Sequence, residues 1–253
     1  MQGPQLQLAV PMTPMVKRLI IANMALWVGL ILILQKWILN QPYIFSWFGF
    51  VPSSVLLDFW LWQPFTYMFI HSDNVFHVIF NMLVVWWFGA DLESRWGGRF
   101  FLLYYLVCGA GAAFLYLGAV VVYSLATGDS LPLSAPVVGA SGAVFGLMYA
   151  YGKLFGDRMI YFMMMFPMKA RMFVMLIGAV EVLNLLSSGL QSQTANLAHL
   201  GGLVVGFGFL KFWDNWQSRG PRRRAAQKHG RTLKLVVNNE TSSGDKNPPR
   251  YWN

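Results

Sequence analysis

Charge and cysteine are both scarce in this sequence. Charged residues make up 11% of the 253 residues, whereas hydrophobic residues make up 56% and the mean hydropathy is +0.48. This composition excludes a water-soluble domain, because several apolar runs have the length of membrane spans. Cys108 is the only cysteine and lies within an apolar run, which excludes a disulfide within one chain. We interpret Cys108 as a small buried hydrophobic side chain.

Two other kinds of motif are missing. The sequence contains no His-x-x-x-His pair and no cluster of Cys and Asp residues, so we predict that the protein needs no metal and no cofactor. The apolar run that follows Lys17 and Arg18 has no small-x-small cleavage site. We therefore expect the first span to be retained rather than removed as a signal peptide.

The apolar runs predict an all-α membrane protein built as a bundle of six transmembrane helices. The expected spans are Leu19–Leu34, Val75–Ala90, Phe100–Val122, Gly139–Phe155, Met172–Leu186 and Leu197–Trp213. The fourth and fifth are short against the roughly 20 residues that a helix needs to cross a bilayer. A short fourth span suits a helix surrounded by the others. The expected organisation is a cytoplasmic segment over 1–17, a membrane domain over 18–213 and a basic tail over 214–253.

The basic residues predict the orientation of these spans. If Lys17 and Arg18 lie inside, 18 of the 19 Lys and Arg residues fall on the inner side and only Lys36 falls outside. This bias follows the positive-inside rule, so we expect both termini to be cytoplasmic. The net charge of +9 thus reflects membrane topology and the basic tail. We expect the tail to be disordered and attracted to anionic membrane lipid, and we expect no nucleic-acid partner.

A serine and a histidine stand at the heads of two predicted spans. Ser141 lies in the small-residue segment Gly139–Gly142, so its hydroxyl is exposed and another backbone can approach it. His199 lies at the start of the sixth span. Because spans two, four and six all run from outside to inside, both side chains are expected at a similar shallow depth near the outer surface. A hydroxyl and an imidazole inside a membrane indicate a nucleophile and its base.

Small residues predict how these two spans meet. Gly202 and Gly206 share a helix face with the histidine, and Gly142 and Gly146 form a similar face beside the serine. Such small-x-x-x-small patterns let helices approach closely. The alternative is that both patterns serve packing alone, since apolar helices contain many of them.

Polar residues in the second span predict the remaining part of the site. His77 and Asn81 lie one helical turn apart, and both can donate hydrogen bonds to an oxyanion. Backbone N–H groups near Ser141 and the helix dipole add to this. The alternative is that both side chains only bond to neighbouring helices. Glu181 in the fifth span has no partner that spacing reveals, so a Ser–His dyad is the simplest interpretation.

These segments together resemble the rhomboid family of intramembrane serine proteases, over roughly residues 15–213. The residues that carry the resemblance are Gly139–Gly142, Ala198–His199 with Gly202 and Gly206, and His77 with Asn81. Glu93 and Arg95 are similar to the family's Glu-x-Arg element at the cytoplasmic end of the second span. Trp62 and Gln63 stand where family members frequently have a Trp-Arg pair.

The resemblance implies a function and a role for each residue. Ser141 is implied as the nucleophile, His199 as the general base, and His77, Asn81 and the Ser141 N–H as oxyanion donors. Phe145 matches a position where family members place an aromatic ring against the catalytic histidine. The implied substrates are transmembrane segments of membrane proteins, cleaved near the outer face. The six-span form is common in prokaryotes, so we expect a multi-pass protein of the plasma membrane.

Two other functions compete with proteolysis. A non-catalytic rhomboid-like protein would bind membrane helices without cleaving them, but such proteins typically lack the dyad. A transporter or channel would spread its polar residues through the depth of the membrane and could show inverted repeats. The polar residues here cluster near one side, and the sequence shows no convincing repeat.

Overall fold

The structure is a computed structural model that describes residues 11–162, 166–188 and 194–219. The chain divides into a compact unit over 1–214 and a second over 215–253, of which only 215–219 are described. The α-helices are Pro14–Leu26 (α1), Tyr43–Phe48 (α2), Pro52–Leu57 (α3), Gln63–Thr66 (α4), Val75–Trp96 (α5), Gly98–Thr127 (α6), Leu131–Ser134 (α7), Ser141–Leu154 (α8), Ala170–Ser188 (α9) and Thr194–Arg219 (α10). The strands are Met159–Phe162 (β1) and Phe166–Lys169 (β2). The arginine cluster of the predicted tail, Arg222–Arg224, lies outside the described residues.

The first helix is longer than its apolar run. α1 begins at Pro14, which is well suited to the first helical turn because it needs no backbone donor there. It continues as a π-helix over Trp27–Leu39, so helical structure covers 26 residues. The predicted N-terminal segment 1–17 therefore already contains the first turn of α1.

Glu93 fastens the start of α1 to the end of α5. Its carboxylate accepts hydrogen bonds from the backbone N–H groups of Met15 and Val16, both at 2.9 Å, and from the Thr13 hydroxyl. Glu93 is 6% exposed. A carboxylate at a helix N-terminus satisfies free N–H groups and complements the helix dipole. The first residue of the Glu-x-Arg element thus joins two membrane helices.

A buried glutamine organises the segment between the first two long helices. Gln63 is fully buried, its Oε1 accepts from the Val51 N–H at 2.9 Å, and its Nε2 donates to the Ser46 carbonyl at 2.8 Å. These bonds tie α4 to the segment that contains α2 and α3. Gln63, which stands in place of the arginine of the Trp-Arg pair, therefore makes polar contacts that hold this segment.

Asn74 and Gly97 set the ends of α5. Asn74 caps the helix by accepting from the Phe76 N–H at 3.0 Å, which starts the helix two residues before His77. Gly97 has φ of +79°, a conformation that suits glycine, and it separates α5 from α6. This tight connection lets α5 and α6 run side by side.

The short helix α8 lies at the centre of the bundle. It has 14 residues, and those from Gly142 to Met148 are all buried. Helices α5, α6 and α9 all pack against it. This position agrees with the interpretation of the short fourth span as a helix surrounded by others.

The prediction of a helical membrane protein is confirmed, and the described residues add one short hairpin to the helices. β1 and β2 form an antiparallel hairpin between α8 and α9, with Met159 paired to Lys169 and Ile160 to Met168. The sequence Met-Ile-Tyr-Phe of β1 contains β-branched and aromatic residues that favour strands.

Four helices of the described residues are long and apolar enough to cross a membrane: Pro14–Leu39, Val75–Trp96, Gly98–Thr127 and Ala170–Ser187. Neither α8 nor α10 is among them, so the count of six spans stays a prediction. Most observed helices extend beyond the predicted spans, because helical hydrogen bonding continues past the last apolar residue. The chain is thus a mostly helical membrane protein.

Candidate active site

Ser141 is the first residue of α8, and the segment before it is held by backbone contacts. Val137 pairs with Phe50 through hydrogen bonds of 2.8 and 2.9 Å, and the Gly139 N–H donates to the Tyr67 carbonyl at 3.0 Å. Gly139 has φ of +122°, which side-chain-bearing residues rarely adopt. Gly139 therefore permits the turn that delivers Ser141 to the helix N-terminus.

Glycines bring α8 and α10 into backbone contact. A Cβ on Gly202 would overlap the carbonyl oxygen of Gly142, and a Cβ on Gly206 would lie 3.2 Å from the Gly146 Cα. The two small-residue faces that the sequence suggested therefore meet each other. Their contact places the part of α10 around His199 beside the first turn of α8, where the point for a Gly142 Cβ lies 3.6 Å from the Ala198 carbonyl oxygen.

Six polar side chains line one cavity of about 680 Å³, which we call the serine cavity. They are Ser141, His199, His77, Asn81, Glu181 and, at the start of α5, Asn74. The predicted nucleophile, base and oxyanion donors therefore face a common space. No hydrogen bond among the described residues joins Ser141 to His199. Hydrogen bonds of this kind are often long before substrate binds and shorten in the reactive complex.

The imidazole of His199 is held on its face and at one nitrogen. The ring of Phe145 stacks on it with centroids 4.3 Å apart and planes inclined by 8°. Nδ1 of His199 lies 3.1 Å from Oε1 of Glu181. The Nε2 atom is therefore the nitrogen left for an incoming proton.

The structure gives Glu181 a partner that spacing in the sequence does not reveal. Glu181 on α9 contacts His199 on α10, and a separation of 18 residues gives no helical spacing that links the two. A carboxyl group within an apolar span is costly, and that cost was the available signal. Spacing alone gave no indication of which residue it meets.

His77 is aimed at the same region by Ser72. The Ser72 N–H donates to Nδ1 of His77 at 3.3 Å, and the Ser72 hydroxyl lies 2.9 Å from the same atom. Because Nδ1 accepts a hydrogen bond, a neutral imidazole carries its proton on Nε2. The point where a Gly139 Cβ would stand is 2.7 Å from this Nε2 and 3.8 Å from the Ser141 hydroxyl oxygen. The Nε2 atom of His77 and the hydroxyl of Ser141 therefore both lie close to Gly139.

Asn81 stands one turn below His77 on α5. Its Nδ2 donates to the His77 carbonyl at 2.8 Å and the residue is 7% exposed. An amide nitrogen carries two hydrogens, so one remains for the serine cavity. Asn81 therefore both supports the first turn of α5 and offers a donor to the site.

His71 is a site neighbour that the sequence interpretation assigned no role. It is fully buried, and its Nε2 accepts from the Ala140 N–H at 3.4 Å. Its ring meets that of His77 with centroids 5.2 Å apart. Burial, followed by the neighbouring His77, lowers the pKa of His71 from 6.5 to about 3. His71 is therefore a neutral support for the turn that precedes Ser141.

This arrangement has the parts needed for acyl transfer. It places a hydroxyl at a helix N-terminus, an imidazole in the same cavity, and two side-chain donors on the opposite helix. The helix N-terminus adds unpaired N–H groups and a positive dipole end. Together these groups suit attack on a carbonyl and stabilisation of the resulting oxyanion.

Comparison with known proteins gives a consistent family. The family model of the Rhomboid domain matches residues 58–213. RHOMBOID-like protein 1 of Arabidopsis thaliana is 32% identical over 158 residues, which cover 61% of this chain and 35% of that protein. Rhomboid protease GlpG of Serratia proteamaculans is 30% identical over 193 residues, covering 76% of this chain and 60% of that protein.

A third relative agrees with these two. Rhomboid protease GlpG of Yersinia pseudotuberculosis serotype I is 28% identical over 169 residues, covering 66% of this chain and 52% of that protein. The chain therefore spans between 35% and 60% of the length of these relatives. The similarity includes the helices that carry the serine cavity.

Proposed function

The chain belongs to the rhomboid family, and on that premise we propose that it is an intramembrane serine endopeptidase. Its substrates are transmembrane segments of membrane proteins, cut near the outer face. The observation that carries the proposal is the common cavity of Ser141, His199, His77 and Asn81. Four polar side chains in a low-dielectric setting are costly unless they serve a function.

Ser141 acts as the nucleophile and His199 as the general base. As the Ser141 oxygen bonds to the substrate carbonyl carbon, its proton passes to Nε2 of His199 and the carbonyl π electrons move to oxygen. The imidazolium then gives that proton to the leaving amine as the C–N bond breaks. Water hydrolyses the acyl-enzyme by the same route.

His77, Asn81 and the Ser141 N–H stabilise the oxyanion. The Nε2–H of His77 is the strongest candidate donor, because Ser72 occupies the other nitrogen. One such donor is typically worth about 10²–10³ in kcat. Asn81→Ala is therefore expected to lower kcat by about 10²-fold with a smaller change in KM.

Substrate reaches the serine from the side, between α5 and α9. Residues of both helices line the serine cavity, with Phe80 on α5 and Ile177 on α9 among them. Phe76 and Phe80 are 59% and 60% exposed, so the α5 wall presents aromatic surface to the membrane. An apolar helix can enter such an opening without leaving the lipid.

The protein is a multi-pass membrane protein with six spans and both termini in the cytoplasm. The distribution of Lys and Arg supports this orientation. The serine cavity then opens near the outer leaflet, where water is available for hydrolysis. We place the protein in a plasma membrane, because the six-span form that it resembles is common in prokaryotes.

Reconstitution in lipid vesicles with a labelled transmembrane substrate tests the proposal. Wild-type protein is expected to release a defined cleavage product, and Ser141→Ala and His199→Ala to reduce its rate by at least about 10³-fold. Ser130→Ala, an exposed serine outside the cavity, is the matched control and should cleave like wild type. Equal cleavage by all four proteins would refute the assignment.

A rhomboid-like protein that only binds membrane helices is the second candidate. The lack of a hydrogen bond between Ser141 and His199 in the described structure favours it. It predicts that wild type and both site variants bind the same substrate and that none cleaves it. The same vesicle assay therefore separates the two functions.

A further inference from the structure

We propose that Glu181 is a positioning residue that orients His199, so that the site works as a serine–histidine–glutamate triad rather than a dyad. The inference rests on the proposed protease function and assigns to it a residue that the sequence motifs do not indicate. It is carried by one contact and by the surroundings of both side chains.

The contact fixes which nitrogen of His199 faces the serine. Oε1 of Glu181 lies 3.1 Å from Nδ1 of His199, within hydrogen-bond distance. A carboxylate accepts and cannot donate, so Nδ1 must carry the proton. Nε2 is then unprotonated and free to accept the proton of Ser141. The wrong tautomer would present an N–H to the hydroxyl and could not act as a base.

Two contacts, one on a ring face and one at Nδ1, restrict the orientation of the His199 imidazole. Phe145 covers one ring face at 4.3 Å, and Glu181 holds the ring edge at Nδ1. The side chains of His199 and Glu181 are only 18% and 13% exposed. In such a partly buried setting a hydrogen bond is less weakened by water than at the surface.

Fold stability does not account for a glutamate at this position. Its Oε2 is buried and has no hydrogen-bond partner among the described residues. The neighbouring α9 residues Val180, Val182 and Leu183 are 42%, 43% and 64% exposed, as suits a helix that faces lipid. A carboxyl group with one unpaired oxygen in this helix costs free energy that an apolar residue would not. Catalysis, rather than stability of the fold, therefore explains a carboxyl group at this position.

No other acid competes for the role. Among the described residues that line the serine cavity, Glu181 is the only Asp or Glu. His77 faces the cavity from α5 and is held by Ser72 instead. The charge that develops on His199 when it takes the serine proton is therefore met by Glu181 alone.

The protons move as in the proposed mechanism, and Glu181 adds a hydrogen bond at Nδ1 of His199. Ser141 gives its proton to Nε2 of His199, which makes the ring an imidazolium with both nitrogens protonated. Glu181 keeps its charge, accepts from Nδ1 throughout and stabilises the imidazolium electrostatically. The proton on Nε2 then goes to the leaving amine, and the ring returns to its starting tautomer.

Two substitutions separate orientation from charge. Glu181→Gln keeps an oxygen that can accept from Nδ1 and removes the charge, whereas Glu181→Leu removes both at similar volume. The orienting carboxylate of a Ser–His–Asp triad is worth roughly 10⁴ in kcat. We expect Glu181→Leu to lose at least about tenfold in kcat and Glu181→Gln to lose less, with KM changed by less than about threefold.

Thermal unfolding distinguishes positioning from a structural ion pair. We expect the midpoint temperature of Glu181→Leu in detergent to stay within about 3 °C of wild type or to rise. Leu183→Ala, a lipid-facing neighbour on the same helix, is the matched control and should keep wild-type kcat. A Glu181→Leu variant with wild-type kcat overturns the inference, and so does one whose lost kcat is explained by unfolding at the assay temperature.

The tautomer of His199 gives a readout that does not depend on cleavage. In protein labelled with ¹⁵N-histidine, we expect His199 to carry its proton on Nδ1 in wild type and in Ser141→Ala. The Nδ1 population should fall in Glu181→Leu. An unchanged tautomer in Glu181→Leu contradicts the inference even if the protein is a protease. If the wild-type protein does not cleave substrate but the tautomer of His199 shifts in Glu181→Leu as expected, the protease function is refuted and the positioning contact stands.

Discussion

The buried histidine beside the serine turn makes stability depend on pH. His71 is fully buried, one nitrogen accepts from the Ala140 N–H, and the other has no partner among the described residues. Its pKa is lowered to about 3 by burial first and by His77 second, whereas an exposed imidazole has a value of 6.5. The imidazole of His71 is therefore protonated below pH 6.5 in the unfolded chain, but only below about pH 3 in the folded chain.

The sign and size of the effect follow from these two values. Stability from this group is fully present above pH 6.5 and decreases as the pH falls below it. At pH 5 protonation of His71 in the unfolded state lowers the free energy of unfolding by about 2 kcal/mol. This follows from about 1.36 kcal/mol for each pH unit below the pKa of the unfolded state. This figure is insensitive to the folded value as long as that value lies well below 5. For a chain of this length, about 2 kcal/mol corresponds to roughly 4–8 °C in unfolding temperature.

Thermal unfolding at pH 7.5 and pH 5, followed by the fluorescence of the 11 tryptophans, measures this effect. His71→Gln keeps an amide oxygen for the Ala140 N–H and removes the titrating group. We expect wild type to lose about 4–8 °C more than His71→Gln between the two pH values. The subtraction removes titration that the two proteins share. An equal loss in both proteins would refute the burial of a neutral imidazole at this position.

Three further substitutions test the parts that support the site. Glu93→Gln replaces one accepting oxygen by an amide nitrogen, so we expect the free energy of unfolding to fall by about 3 kcal/mol. Heating in detergent measures this as a lower unfolding temperature. Gly202→Ala places a methyl group against a backbone carbonyl and should cost about 1–3 kcal/mol, whereas Gly208→Ala, with no atom within 4 Å, should not. Ser72→Ala removes one contact to His77 and should lower kcat about two- to tenfold at unchanged KM.

Each of these expectations has a contrary result. A wild-type unfolding temperature for Glu93→Gln would mean that the carboxylate does not hold the start of α1. Equal stability of Gly202→Ala and Gly208→Ala would show that α8 and α10 are not in backbone contact. A Ser72→Ala variant with raised KM and unchanged kcat would place Ser72 in substrate binding rather than in the orientation of His77.

The local features of the site could be predicted from the sequence, because they depend on short spacings. Ser141 and His199 each lie near the start of a helix. The glycines that let those helices touch lie one and five residues after Ser141, and three and seven residues after His199. The positions of Lys and Arg predict the direction of the helices across the membrane, and that direction stays a prediction. These signals predict that Ser141, His199, His77 and Asn81 lie in one site, and the four side chains line one cavity.

The contacts that cross between distant segments could not be predicted in this way. Glu181 meets His199 across a helix connection, and His71 supports Ala140 across two long helices. No spacing rule links such pairs, since their contact depends on how whole helices pack. The hairpin between α8 and α9 was missed because its apolar strand is short and lies among basic residues. Buried polar residues without a local partner were the signals that remained.

Covalent labelling of the serine tests the central claim most directly. A fluorophosphonate reacts with a serine hydroxyl only where a base activates it and donors stabilise the oxyanion. In the intact membrane-reconstituted protein, we predict one phosphonyl adduct, located by mass spectrometry on Ser141, and its loss in His199→Ala. No adduct on Ser141 in a wild-type protein that is shown to be folded, or equal labelling in His199→Ala, would contradict the account.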